Sequence, residues 1–180
     1  TPTPSSAASD VYKRQEIQQR ICESLIEQNL FLDCVVTSPL RRCSDLANLY
    51  AKRMALPLSI EPEFQEMNFG EVDGVASDEL DDKWAKLETF WEDPANHQLS
   101  GAESLQNFHD RVTQGWSQLL TNESDNLLLV THGGVIRMIL AHCLDIDWKN
   151  PSLYSKLSIE NASITHIPVS YTHLTLPTME

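Results

Sequence analysis

The chain has 180 residues, enough for one domain that buries roughly 70% of the surface its unfolded form exposes. Apolar residues make up 41% and charged residues 22%, an ordinary balance for a globular domain. The net charge of −13 argues against nonspecific binding to nucleic acid or to an anionic membrane, since both need basic surface.

Residues 1–15, "TPTPSSAASDVYKRQ", lack an apolar period and read as a disordered or adapter-derived tail. From about Glu16 to Asn29, Ile17, Ile21, Cys22 and Leu25 share one helical face. "FLDCVV" (31–36) reads as a buried strand, and Cys43, Leu46, Ala47, Tyr50 and Met54 mark the next helix. "LPLSI" (56–60) is a candidate second strand, followed by a polar loop with breakers at Gly70 and Gly74. "DKWAKLETFW" (82–91) predicts a short helix, stopped by Asp93-Pro94. Leu105, Phe108, Val112, Leu119 and Leu120 predict a long amphipathic helix from about Glu103. "NLLLVT" (126–131) predicts a strand, and the nearly all-apolar segment from Val135 to Leu144 a buried helix. "LSIE" (157–160) and "SITHI" (163–167) predict two last strands, before a second tail at 169–180.

Alternating strands and helices predict an α/β domain with a mostly parallel sheet covered on both faces. Ligands of such sheets bind beyond the carboxyl ends of the strands. Two strand ends carry suitable chemistry. In "VVTSPLRR" (35–42), Ser38 is a good N-cap and Pro39 fits the first helical position. Arg41 and Arg42 then lie in a first turn, where cations oppose the helix dipole unless an anion compensates. They are either phosphate forks or two solvated surface arginines. In "VTHGGVIR" (130–137), His132 sits at a strand-to-helix junction, and Gly133 and Gly134 let backbone approach a ligand closely. The alternative is a tight turn with a satisfied histidine. A third stretch, "EFQEMNFGEVDG" (63–74), holds Glu63, Glu66, Glu71 and Asp73. A carboxylate shielded there by aromatics can act as a general acid, although on these residues alone an acidic solvated loop is the favoured reading.

Cys22, Cys34, Cys43 and Cys143 share no C-x-x-C spacing, so reduced thiols fit better than disulfides or zinc. No apolar run approaches the roughly 20 residues of a membrane span, and no charged-then-apolar signal opens the chain. A cytoplasmic protein is the expectation, without a membrane or nucleic-acid partner.

The ordered set "SPLRR", "EMNFGEVDG", "GAESLQNFHDRV" and "VTHGGVIR" resembles the histidine phosphatase, or phosphoglycerate mutase-like, superfamily, over about Glu16 to Pro168. The resemblance implies a three-layer α/β/α sandwich and phosphomonoester hydrolysis through a phosphohistidine, with no cofactor and no metal. It implies that Arg42 binds phosphate, that Glu66 protonates the leaving oxygen, and that His132 stabilises the transferring phosphoryl group, aided by the Gly133 amide. The family's nucleophile lies in an Arg-His-Gly at the end of its first strand. This sequence contains no Arg-His-Gly; its histidines are His97, His109, His132, His142, His166 and His173. The expectation is therefore a domain over 16–168 lacking the first strand, and inactive as it stands. Within the superfamily, "FWEDPANHQLSGAESLQNFHDRV", "VTHGGVIRMILAHCLDI" and "SIENASIT" are most similar to α-ribazole phosphatases, which act late in adenosylcobalamin assembly. Phosphoserine and sugar-phosphate phosphatases share most of these motifs, and a non-catalytic phosphate-binding module of the same fold is the other alternative.

Overall fold

The computed structural model describes residues 6–73, 89–121 and 124–169, with the side chains of the first helix described from residue 12. Three parallel strands form its sheet: β1 (Cys34–Thr37), β2 (Leu58–Ile60) and β3 (Leu127–Val130), in the order β2-β1-β3. Val35 pairs with Leu58 and Leu128, and Thr37 with Ile60 and Val130. Helices α1 (Ser6–Glu27), α2 (Arg41–Met54), α3 (Leu105–Leu119), α4 (Gly133–Cys143) and α5 (Ser152–Ser155) surround it.

Side chains alternate across a strand, and this alternation divides the interior in two. Val35, Leu128 and Val130 join Cys22, Leu25, Ala47 and Tyr50 of α1 and α2. Val36, Leu127 and Leu129 face the other way, toward Phe108, Val112, Val135 and Met138 of α3 and α4. The result is the expected α/β/α layering on a parallel sheet. β3 lies at one edge, paired with β1 alone among the described residues.

Four expectations change. First, α1 begins at Ser6, inside the stretch expected to be disordered. Ala7 and Ala8 favour helix, no proline lies within Ser6–Glu27, and Glu16 pairs with Arg20 at 2.6 Å one turn on. That half of the helix rests on local preference: Tyr12 and Ile17 are exposed, and burial starts at Cys22. Second, β1 starts only at Cys34, and Phe31, expected inside the strand, is 91% exposed. Third, 157–160 and 163–167 are not strands. Their alternation is real, but among the described residues no strand pairs with them. The Leu157 carbonyl instead accepts from Arg137 of α4 at 2.8 Å. Fourth, α2 begins at Arg41, with Leu40 as its N-cap residue and no side-chain cap.

The short helix expected over 82–91 lies mostly outside the described residues; residues 89–92 are helical, with Phe90 buried against Phe69 and Trp91. Ser104 caps α3, its Oγ accepting from the Asn107 amide at 3.1 Å.

Candidate active site

β1 and β3 end level with each other, so the residues that follow them emerge side by side. The Ser38 amide donates to the Val130 carbonyl at 3.0 Å. One residue pair further on, His132 and Arg42 meet. Arg42 donates through Nε to His132 Nδ1 at 3.0 Å. The other ring nitrogen, Nε2, lies 2.8 Å from Ser38 Oγ. Ser38, expected to cap α2, thus serves the imidazole, while its Oγ also accepts from the Leu40 amide at 3.3 Å.

His132 is 6% exposed. Burial, the Arg42 guanidinium and the more distant Arg111 push its pKa from 6.5 down to about 4. The ring is therefore neutral near pH 7, with its proton on Nε2. Beneath it lies Cys43, whose Sγ donates to the Thr131 carbonyl at 3.3 Å and sits 3.6 Å from both ring nitrogens. Burial pushes that thiol up to about 11, against the pull of Arg42, so it is an uncharged packing group.

The two adjacent arginines part company. Arg41 pairs with Asp45 at 3.6 Å on an exposed helix face. Arg42 forms no ion pair with a carboxylate among the described residues, so its fork is spent only through Nε. The solvated reading thus applies to Arg41, while Arg42 turns inward to His132.

Glu66 reaches the same place from the loop after β2. Its Oε2 accepts from the Gly134 amide at 3.3 Å, and its Oε1 from the Met67 amide at 3.0 Å. A carboxylate at the first turn of α4 suits the positive end of the helix dipole. The two glycines differ in consequence. A Cβ at Gly134 would collide with the Glu66 carboxylate, whereas at Gly133 its nearest neighbour is Ile159 Cβ at 3.9 Å. The turn's contact with the Glu66 carboxyl group is thus made through the Gly134 amide.

Sequence reasoning passed over Arg111, which lies inside "GAESLQNFHDRV". It binds Glu103 through two parallel hydrogen bonds of 2.7 and 2.8 Å, and donates to the carbonyls of Glu63, Gln65 and Glu66. Glu103 precedes α3, so no helical spacing rule links the pair. Glu71 and Asp73 are engaged elsewhere: Glu71 Oε1 accepts from the Ser100 hydroxyl of a distant loop at 3.2 Å, and Asp73 Oδ2 accepts from the Phe69 amide within its own turn at 2.8 Å. Among the described residues no group of three His, Cys, Asp or Glu is placed to hold a metal ion. Nor is any helix there long and apolar enough to cross a membrane.

Comparison with known proteins gives this geometry a context. The chain is 32% identical over 114 residues to the adenosylcobalamin/α-ribazole phosphatase of Salmonella typhimurium, covering 62% of this chain and 56% of that one. It is 29% identical over 124 residues to the glucosyl-3-phosphoglycerate phosphatase of Mycolicibacterium vanbaalenii, covering 64% and 55%. The crystal structure of the α-ribazole phosphatase from Shigella flexneri superposes with a TM-score of 0.63 at 26% identity, covering 86% of this chain and 73% of that one. Across its first curated relatives the chain spans between 31% and 66% of their length. The sequence profile of the histidine phosphatase superfamily (branch 1) matches residues 16–179, nearly the whole chain, and the protein belongs to that superfamily.

Proposed function

We propose that this domain binds the phosphoryl group of a small phosphomonoester and serves its hydrolysis through a phosphohistidine, with α-ribazole 5′-phosphate as the preferred substrate in a cytoplasmic setting. The observation that carries the reading is the meeting of Arg42 with His132, with Glu66 hooked onto the same helix start. The Arg42 fork suits phosphoryl oxygens, and the Nε2 proton of neutral His132 is a donor once Ser38 yields it to the substrate. Fixed donors of this kind stabilise the charge that spreads over the phosphoryl oxygens during transfer. In the reaction a histidine nitrogen bonds to phosphorus as the ester P–O bond breaks. Glu66 gives its proton to the departing alkoxide, which is otherwise a poor leaving group. Water then displaces the histidine and releases orthophosphate.

The attacking histidine is the part these 180 residues do not offer in an Arg-His-Gly. By itself the chain is expected to bind phosphate and turn over essentially nothing. The same observation, with Nε2 of His132 already engaged by Ser38, favours a second reading: a phosphate-binding module without chemistry.

Chemical rescue separates the two. Free imidazole supplies the missing nucleophile, so a catalytic site should show imidazole-dependent hydrolysis of para-nitrophenyl phosphate that disappears in Arg42→Gln. A module shows binding and no rescue. Hydrolysis without imidazole that depends on His132 or Arg42 defeats the proposal of an incomplete site. Substrate preference is read by competition calorimetry, where α-ribazole 5′-phosphate should outcompete O-phosphoserine and glucose 6-phosphate; equal affinities defeat that assignment.

A further inference from the structure

The segment from Glu63 to Glu66 has little regular structure, only a single 3-10 turn at Pro62–Phe64. Backbone carbonyls in such a segment need partners from elsewhere. All four are taken by side chains. Arg111 binds the carbonyls of Glu63 and Gln65 at 2.8 Å each and that of Glu66 at 3.2 Å. Thr131, the residue before His132, donates its hydroxyl to the Phe64 carbonyl at 2.8 Å.

Arg111 has five N–H donors, and this arrangement uses its whole fork. Two go to the Glu103 carboxylate and three to the carbonyls. The guanidinium also lies over the Phe108 ring, 4.8 Å from its centre, which fixes its plane. Glu103 in turn ties the far side of the same loop. Its amide donates to the Asn68 carbonyl at 2.9 Å, and its carboxylate accepts from the Asn68 amide at 3.5 Å. Glu66 is thus gripped on both flanks, while its carboxylate reaches the Gly134 amide.

We infer that Arg111 is a positioning residue for Glu66: with Glu103 it locks the 63–68 segment so that the Glu66 carboxylate lands on the first turn of α4, beside His132 and Arg42. This rests on the reading of Glu66 as proton donor, and extends it to the device that aims the donor. A lysine cannot replace this arrangement, because one ammonium does not span a carboxylate and three carbonyls in a plane.

Two amides touch the Glu66 carboxylate, and they differ usefully. The Met67 amide is its chain neighbour, so its contact survives any shift of the segment. The Gly134 amide is on another element, so its contact depends on aim. Heteronuclear NMR of the full chain at neutral pH reads both, as the amide shift changes that Glu66→Gln produces. In the native background both amides should respond to that substitution. In Arg111→Gln the Met67 response should persist and the Gly134 response should fall severalfold, with β1 and β3 amides unchanged. Arg111→Lys keeps the charge and the stem over Phe108, and should lose the Gly134 response as well. An unchanged Gly134 response in either folded variant overturns the inference, as does full retention in the lysine variant alone. The measurement does not read chemistry. If imidazole rescue measured on an alkyl phosphate, whose departing alkoxide needs a proton, proves indifferent to Glu66→Gln, the proton-donor reading fails while the positioning stands.

Discussion

Arg42 donates to Nδ1 of His132, and that single hydrogen bond decides which proton the imidazole keeps. An arginine has only donors, so Nδ1 must be bare and the proton must sit on Nε2, facing Ser38. A protonated ring would place a proton on Nδ1 against the guanidinium. The arrangement therefore tolerates only the neutral histidine.

Acid should then unfold the protein through His132. Its folded pKa of about 4 lies below the ordinary 6.5. Between those values the unfolded chain binds the proton and the folded one does not, so stability rises with pH across this window. The contribution is fully present above pH 6.5 and is lost as pH falls toward 4, on the order of 3 kcal/mol. Urea unfolding midpoints measured from pH 7.5 to 4 should show this slope, and His132→Gln should flatten it. An identical slope in the variant would mean that other groups carry the acid sensitivity.

The adjacent arginines should behave oppositely toward phosphate. Arg42→Gln removes a charged fork and should weaken orthophosphate binding roughly ten- to hundredfold. Arg41→Gln breaks only an exposed pair with Asp45, worth about 0.5 kcal/mol or less to the helix, and should leave affinity unchanged. Titration calorimetry at low salt reads both; equal losses would show that general charge, not the fork, attracts the anion.

The glycines should separate in the same way. Gly134→Ala puts a methyl group where the Glu66 carboxylate sits, so Glu66 must leave the helix start or the turn must open. Gly133→Ala meets Ile159 only at ordinary contact distance and should change stability by less than about 1 kcal/mol. Urea unfolding together with the carboxyl-carbon resonance of Glu66 distinguishes them. An unmoved Glu66 resonance in Gly134→Ala would contradict the placement described.

β3 exposes one edge of the sheet among the described residues, along an apolar run. Open apolar edges recruit other strands, so the chain should self-associate. Sedimentation velocity across a range of concentrations should show species larger than a monomer, growing with concentration; a single monomeric boundary throughout would count against the edge as an adhesive surface.

Much of this architecture was readable in one dimension because its signals are local. "NLLLVT" and "FLDCVV" are short apolar runs between polar stretches, and α2 and α3 carry clear helical stripes, so β1, β3 and both helices fall close to expectation. Failures came where a distant partner decides. "LSIE" and "SITHI" alternate like strands, but pairing is decided elsewhere: Leu157 of the first meets α4, and Ile164 of the second lies beside Ile21 and Leu25 of α1. Ser38 has every local mark of a helix cap, yet His132, 94 residues away, claims its hydroxyl. Arg111 looked like any polar residue on an amphipathic helix; its partners lie as far as 48 residues upstream.

The four captured carbonyls between Glu63 and Glu66 also bear on length variation. Their anchors, Arg111 and Thr131, are set in α3 and at the end of β3, and do not slide. Deleting or inserting one residue just before Glu63 would leave the anchors gripping the wrong carbonyls. A deletion would carry Met67 into the place of Glu66, and an insertion would carry Gln65 there. Neither side chain can donate a proton as a carboxylic acid does. The stretch from β2 to Glu66 is therefore held to one residue count by these contacts, and loop variation in related chains is expected on the far side of Asn68 instead.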